Sequence, residues 1–313
     1  MLHKSTGVAS QNSTPYRKRT QAKIYLIWDG RRGQLADPTL NKASELRQSC
    51  LCADLEMAAK PVNVLVTGAN RGLGLEMVKQ IVEGPKAVGK LFACCRDPDG
   101  PNAQDLRALE KKHSNIIHVI RMDVSDLCSI KESAAQVGSV VGHRGLNLVI
   151  NNAGILSQSV LKDCNSEDMH KVFNTNVVGP MIIIQEFLPL LRDAVKASGI
   201  PGMSCSKAAI VNITSALGSM ELVKLSYDKF PAIPYRVSKA GLNMLTLCAA
   251  EELKGDKILL ALLHPGWVRT DMGGTDGEID APESVEGMLR VLETLTEEQN
   301  AAFLDYKGDI MPW

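Results

Sequence analysis

LVTGANRGLGLEMV, Leu65 to Val78, sets three glycines between two apolar runs of different character. The run before the glycines, PVNVLV, is short and β-branched, which suits a buried strand. After them apolar residues recur at 73, 77, 78, 81 and 82, one stripe of a helix. Thr67-Gly68-x-x-x-Gly72-x-Gly74 therefore falls at a strand-to-helix turn. Small residues there let the backbone approach a pyrophosphate, whose charge is met by the free N–H groups and the positive dipole end of the helix. Glycines also serve turns and caps, so the triplet acquires its dinucleotide reading from its flanks. On that reading Gly68, Gly72 and Gly74 approach the cofactor.

Further apolar runs follow at 91–95 (LFACC), 116–124 (IIHVIRMDV), 146–154 (LNLVINNAG), 208–215 (AAIVNITS) and 258–266 (ILLALLHPG), with room for an amphipathic helix between each. Strand alternating with helix predicts a parallel sheet covered by helices on both faces, and strands covered on both faces read as nearly continuous Val, Ile and Leu. The fold class expected is α/β: a single doubly wound Rossmann domain over 57–313, plus an N-terminal extension over 1–56. The extension lacks sustained periodicity and mixes Ser, Thr, Gln, Gly and basic residues, the composition of a poorly ordered segment. Its first 28 residues carry five Lys/Arg and no acid, which also suits an organelle transit peptide.

Thirty-five basic and thirty-five acidic residues cancel, and this removes any global electrostatic reason to expect nucleic acid or an anionic membrane as partner. No apolar stretch approaches the roughly 18–20 residues that span a bilayer. Eight cysteines lack both the spacing of a disulfide scaffold and paired zinc ligands, so they read as free thiols of a reducing compartment, and no metal is expected. The localisation implied is cytoplasmic, with organelle targeting by residues 1–28 as the alternative.

Which dinucleotide is suggested by the end of the second strand. NAD-binding folds place a carboxylate there for the ribose 2′-hydroxyl, whereas this chain reads Cys94-Cys95-Arg96. Arg96, with Arg71 in the glycine loop, suits the 2′-phosphate of NADP(H). Asn151-Asn-Ala153-Gly154 closes the fourth strand with small residues fit for close contact with the cofactor's ribose. Tyr235 and Lys239, in YRVSK, stand one helical turn apart and can face one cleft, where an ammonium would pull the phenol below its usual value near 10. Ser215, at the end of NITS, lies twenty residues before that tyrosine at a strand end, where it could polarise a carbonyl.

These elements together resemble the short-chain dehydrogenase/reductase family: TGANRGLG, Asp123-Val124, NNAG, NTNVVG, NITSALG, YRVSK and HPGWVRTDM stand in its order across about Val62 to Trp313. Finer features, HPGWVRTDMGG, PESVEGML and the ending DYKGDIMPW, are similar to carbonyl reductases of the sniffer and C-factor type. The resemblance implies an NADPH-dependent reductase of small aldehydes, ketones or quinones. In it Tyr235 donates the proton, Lys239 lowers the phenol's pKa and grips the nicotinamide ribose, and Ser215 orients the carbonyl. Asn176 would hold a water leading from Lys239 to solvent. From TGANRGLG, Asn70, Arg71 and Leu73 would join the three glycines at the cofactor. Asp123 and Val124 would contact the adenine, Asn151, Ala153 and Gly154 the middle of the cofactor, and Pro265, Gly266, Val268 and Thr270 its nicotinamide and pyrophosphate side.

Partners implied are a small-molecule carbonyl substrate, with no nucleic acid and no membrane, and the family admits a homodimer. The alternative from another class is a non-catalytic NADP(H)-sensing protein. Two departures from the family pattern stand out. ELVKLSYDKFPAI, inserted between Ser215 and Tyr235, is expected to form a flap on the substrate side. The segment before Met57 has no family counterpart, and MAAKPVNVLVTG looks like a family start, so Met57 is expected to be an alternative or original initiator. His264 is expected to shape its loop, Trp267 to wall the nicotinamide pocket or pack in the core, and Pro312-Trp313 to meet either the substrate loop or a partner subunit.

Overall fold

The computed structural model describes residues 61–313. The expectations for the preceding segment, including its targeting character, Cys50, Cys52 and Met57, lie outside the described residues. From the amino-terminal side the elements are β1 (Val62–Thr67), α1 (Gly72–Glu83), β2 (Val88–Cys95), α2 (Gln104–Lys112), β3 (Ile117–Arg121), α3 (Leu127–Val141) and β4 (Leu148–Asn151). They continue with α4 (Ser166–Phe173), α5 (Gly179–Ser198), β5 (Ala209–Ile213), α6 (Val223–Ser226), α7 (Ile233–Leu253) and β6 (Leu259–His264). The chain closes with β7 (Val268–Arg269), β8 (Ile279–Asp280), α8 (Ala281–Thr294) and β9 (Phe303–Asp305).

Seven strands form one sheet in the order β3-β2-β1-β4-β5-β6-β9, and every pairing in it is parallel. The order runs outward from β1 to β3, then resumes with β4 on the other side of β1. That reversal opens a crevice at the carboxyl ends of β1 and β4, the place where folds of this kind bind ligands. Register brings the strand ends into line: Thr67 pairs with Cys94, Asn151 with Asn212, Ile213 with Leu263, and His264 with Asp305.

Alternation along each strand divides the core in two. Val64 and Val66 join Met77 and Val78 of α1 and Val285, Met288 and Val291 of α8 on one face. Leu65 joins Ile130 and Val137 of α3 and Ile183, Phe187 and Leu191 of α5 on the other. The helical stripe predicted at 73, 77, 78, 81 and 82 is the face of α1 that packs on the sheet.

All six expected strands are present. The seventh, β9, was missed because three residues carry no periodicity, and only pairing with β6 defines it. The insertion between Ser215 and Tyr235 contains the single helical turn α6 and leads into α7 through Ala232, a buried non-glycine residue at φ 33°. Among the described residues six cysteines are free, and no helix is long and apolar enough to cross a membrane.

Candidate active site

The glycine turn is shaped by close backbone approach. Gly68 has φ +64°, and a methyl added to it would meet the Ala153 backbone at 3.0 Å. One added to Gly74 would lie 2.1 Å from the Gly68 carbonyl oxygen and 2.7 Å from Asn152 Nδ2. Asn152 is the residue that motif reading passed over. Its side chain donates to the carbonyls of Thr67 (2.9 Å) and Gly68 (3.3 Å), and its N–H donates to Thr67 Oγ1 (3.0 Å), so NNAG is tied to the glycine turn. The type of residue gave no signal, since an asparagine after Asn151 has no pattern of its own.

α1 begins at Gly72 with no capping side chain and no acid in its first turn, which leaves its first amides free for a ligand. Leu73 packs on the core behind them. Asn70, Arg71 and Gly72 line a cleft of about 370 Å³ together with Asn102, Asp105 and Asp271. Arg71 is not free there, because Nη1 pairs with Asp271 at 2.7 Å across the cleft. Arg96, by contrast, is exposed, and its guanidinium has no acidic partner among the described residues. Asp123 lies two residues past β3, where its carboxylate accepts from the N–H and hydroxyl of Ser125, and Val124 beside it is buried.

Asn151 donates to Asn212 Oδ1 at 2.8 Å, while its own Oδ1 is buried without a partner. An orphaned acceptor beside a glycine cradle and an uncapped helix is a set of groups that a dinucleotide would satisfy, and the residues present fit one. Thr270 approaches from the far wall: a methyl on Gly72 would be 3.9 Å from Thr270 Cγ2. Gly266 turns the chain after β6 at φ +81°, Val268 is buried in β7, and the Pro265 carbonyl accepts a 2.6 Å hydrogen bond from Ser284 of α8.

Ser215 follows β5, half-buried, and caps the next turn by accepting from the Leu217 N–H at 3.2 Å. Tyr235 and Lys239, on the first two turns of α7, are 9% and 5% exposed. Ser215 is near enough to Tyr235 to favour its phenolate, Lys239 Nζ donates to the Ile213 carbonyl at 2.8 Å, and Nζ lies 5.5 Å from the centre of the Tyr235 ring. The expected lowering of the phenol's pKa is not found. Burial pushes Tyr235 up to about 12, and Ser215 offsets only part of this. Burial also brings Lys239 down to about 8. The physical reason is that burial strips water from the charged form of each group, which raises the phenol and lowers the ammonium.

Asn176 lies in a π-helical segment, Asn174–Val178, between α4 and α5, and such bulges frequently mark functional sites. Its amide accepts from the Ile155 N–H (2.9 Å) and donates to the Ile155 carbonyl (2.9 Å) and Ser238 (3.0 Å). A methyl on Gly154 would fall 3.3 Å from Asn176 Oδ1 and 3.8 Å from Lys239 Nζ, so these three converge. His264 is held neutral, its pKa brought down to about 4 by burial against the opposing pull of Asp305, which agrees with a structural part.

The insertion packs on the loop that follows β6. Phe230 packs edge-on against Trp267 with ring centres 5.1 Å apart, and Trp267 Nε1 donates to the Gly273 carbonyl. The chain's final residue settles on the same flap: the Trp313 carbonyl accepts from Glu221, and its ring lies 5.5 Å from Phe303.

A parallel sheet whose switch point meets a glycine turn and a Ser-Tyr-Lys group, with the tyrosine and lysine buried, defines a dinucleotide-binding α/β protein. Residues 62–279 match the model of the short chain dehydrogenases, and the chain belongs to that family of oxidoreductases. A crystal structure of NADPH-bound carbonyl reductase from chicken fatty liver is 44% identical with a TM-score of 0.77, covering 81% of this chain and 100% of its own. The carbonyl reductase Sniffer of D. melanogaster is 35% identical with a TM-score of 0.76 over the same shares. The C-signal protein of Myxococcus xanthus is 36% identical over 169 residues, 54% of this chain and 93% of its own.

Proposed function

We propose that this chain is an NADPH-dependent carbonyl reductase acting on small aldehydes, ketones or quinones, within one domain spanning 57–313. The observation that carries the reading is the half-buried Ser215 beside the buried Tyr235 and Lys239 at the same sheet edge as the glycine cradle. The descriptions of the chicken and fly relatives support the class of substrate. NADPH, when bound, would supply the hydride; Gly68, Asn70, Arg71, Gly72, Leu73 and Gly74 would hold its diphosphate side, Arg96 its 2′-phosphate and Asp123 and Val124 its adenine. Asn151, Ala153, Gly154, Pro265, Gly266, Val268 and Thr270 would line the rest.

The chain's own residues then have distinct tasks. Ser215 donates a hydrogen bond to the substrate oxygen and polarises the carbonyl. Tyr235, kept protonated by burial, yields its proton only to a strong base, which the substrate oxygen becomes as it gains negative charge. Lys239 stabilises the phenolate left behind. Asn176 fixes Ile155 and Ser238 around Lys239, the position from which a proton can return to the phenol.

The test is nicotinamide absorbance with NADPH against a carbonyl panel, with NADH as control, on the wild type and Tyr235→Phe. Tyr235→Phe is expected to bind NADPH normally and lose nearly all turnover. Unimpaired turnover refutes the assignment, and nucleotide binding without turnover of any carbonyl by the wild type would favour the sensing alternative.

A further inference from the structure

The neighbour of the proposed proton donor is a buried cation with no carboxylate. Arg236 is 7% exposed, and no acid among the described residues pairs with it. Its guanidinium is turned into the insertion. Nε donates to the carbonyls of Phe230 (2.8 Å) and Pro231 (3.1 Å), Nη2 donates to Ser226 Oγ (3.0 Å), and the group lies 5.6 Å from the centre of the Tyr227 ring. Nη1 is buried without a partner. A charge buried against neutral acceptors alone is costly, so its persistence requires that those acceptors be held in place.

A second observation concerns the same corner. Ala232 adopts a left-handed conformation, φ 33°, ψ 51°, although it is not a glycine and is 1% exposed. Such a residue persists where its surroundings over-determine it. Here the corner is fixed by Arg236 Nε on Phe230 and Pro231, by the Arg236 N–H on the Ala232 carbonyl (3.0 Å), and by the Ile233 N–H on the Ser159 carbonyl (3.0 Å). Phe230, two residues before Ala232, is the side chain that packs on Trp267.

We propose that Arg236 is a positioning residue for the substrate: a buried strut that locks the flap 221–232 onto the catalytic helix α7 and so holds the Phe230–Trp267 pair as a fixed roof over the cleft. The substrate consequence rests on the carbonyl reductase reading above, whereas the strut itself does not. Arg236 touches no reacting atom in this role. Its action passes through Phe230 and Trp267, and it sets how tightly a substrate is enclosed.

The experiment compares wild type, Arg236→Met, Arg236→Lys and Ser226→Ala in two assays. Native trypsin digestion reads flap opening directly, because Lys224 and Lys229 are exposed on the flap. Cleavage there is expected to accelerate about ten-fold or more in Arg236→Met, the effect of losing charge-assisted hydrogen bonds, and less in Ser226→Ala. Arg236→Lys, which keeps the charge but replaces the planar fork with a compact ammonium, should recover part of the resistance. With any carbonyl the wild type reduces, KM is expected to rise about ten-fold in Arg236→Met, with kcat within about three-fold and NADPH affinity and the pH profile unchanged.

Wild-type trypsin resistance together with wild-type KM in Arg236→Met overturns the proposal. So does a fall in kcat at constant KM with a shifted pH profile, which would mean that Arg236 acts on Tyr235 itself. If Arg236→Met fails to fold, Ser226→Ala carries the same test through trypsin and KM. If the wild type reduces no carbonyl, the functional reading fails while the digestion still decides the strut.

Discussion

Gly74→Ala tests the glycine cradle with a magnitude the structure supplies. The added methyl would lie 2.1 Å from the Gly68 oxygen, 2.8 Å from the Gly68 carbonyl carbon and 2.7 Å from Asn152 Nδ2. Carbon contacts are comfortable at about 3.5 Å, so the turn and α1 must separate by about 1 Å or more, and both partners are backbone-anchored. Overpacking of this sort costs about 1–3 kcal/mol, which for a domain of this size lowers the melting temperature by roughly 2–12 °C. The shift also moves the first amides of α1 away from a diphosphate. Loss of one or two charge-assisted hydrogen bonds weakens NADPH binding by about ten-fold to a hundred-fold or more. Gly72→Ala is the internal comparison. Its φ of +54° makes alanine cost about 1–2 kcal/mol, yet the methyl meets only Thr270 Cγ2 at 3.9 Å, so α1 stays in place. Thermal melting and fluorescence titration with NADPH measure both effects. Gly74→Ala with wild-type melting and affinity, or Gly72→Ala weakening NADPH binding more than Gly74→Ala, would refute the reasoning.

Arg96→Asp should weaken NADPH binding about ten-fold to a hundred-fold and improve NADH, since it replaces a cation unpaired among the described residues with the carboxylate NAD sites use; an unchanged ratio of the two affinities speaks against the 2′-phosphate assignment. Lys239→Met should abolish turnover and alter the pH dependence of stability. Burial lowers Lys239 from 10.5 to about 8, so its folding penalty, about 3 kcal/mol, is fully present below pH 8, fades as pH rises because the unfolded chain holds the proton longer, and is gone above about 10.5. The variant, which loses one hydrogen bond to Ile213, should be the more stable protein near neutrality, and urea midpoints should converge with the wild type in alkali. A stability difference independent of pH contradicts a buried, protonated Lys239.

The strands were readable because each carries a short apolar run, most nearly continuous in the central β1, β4, β5 and β6, and α1 because its apolar stripe repeats with the helical period. The glycine loop, NNAG and YRVSK were readable because their chemistry needs particular small or titratable residues at fixed local spacing. β9 escaped notice, since three residues do not make a period. Asn152, Asp271 and Arg236 escaped for a different reason: an asparagine, an aspartate and an arginine are ordinary surface residues until the fold brings them to Gly68, Arg71 and the flap.

Local order along the chain determined the alternation of strand and helix, the glycine turn and the identities of Ser215, Tyr235 and Lys239, because each depends on neighbours within a turn or a strand. Tertiary structure alone decided their electrostatics and enclosure. The depth at which α7 is packed raises Tyr235 and lowers Lys239, which reverses the expectation drawn from a lysine one turn from a tyrosine. The same packing brings Trp313 to Glu221 and Phe230 to Trp267, contacts between residues far apart in the chain. Desolvation and distance are properties of three-dimensional neighbours, and a sequence specifies them only through the completed fold.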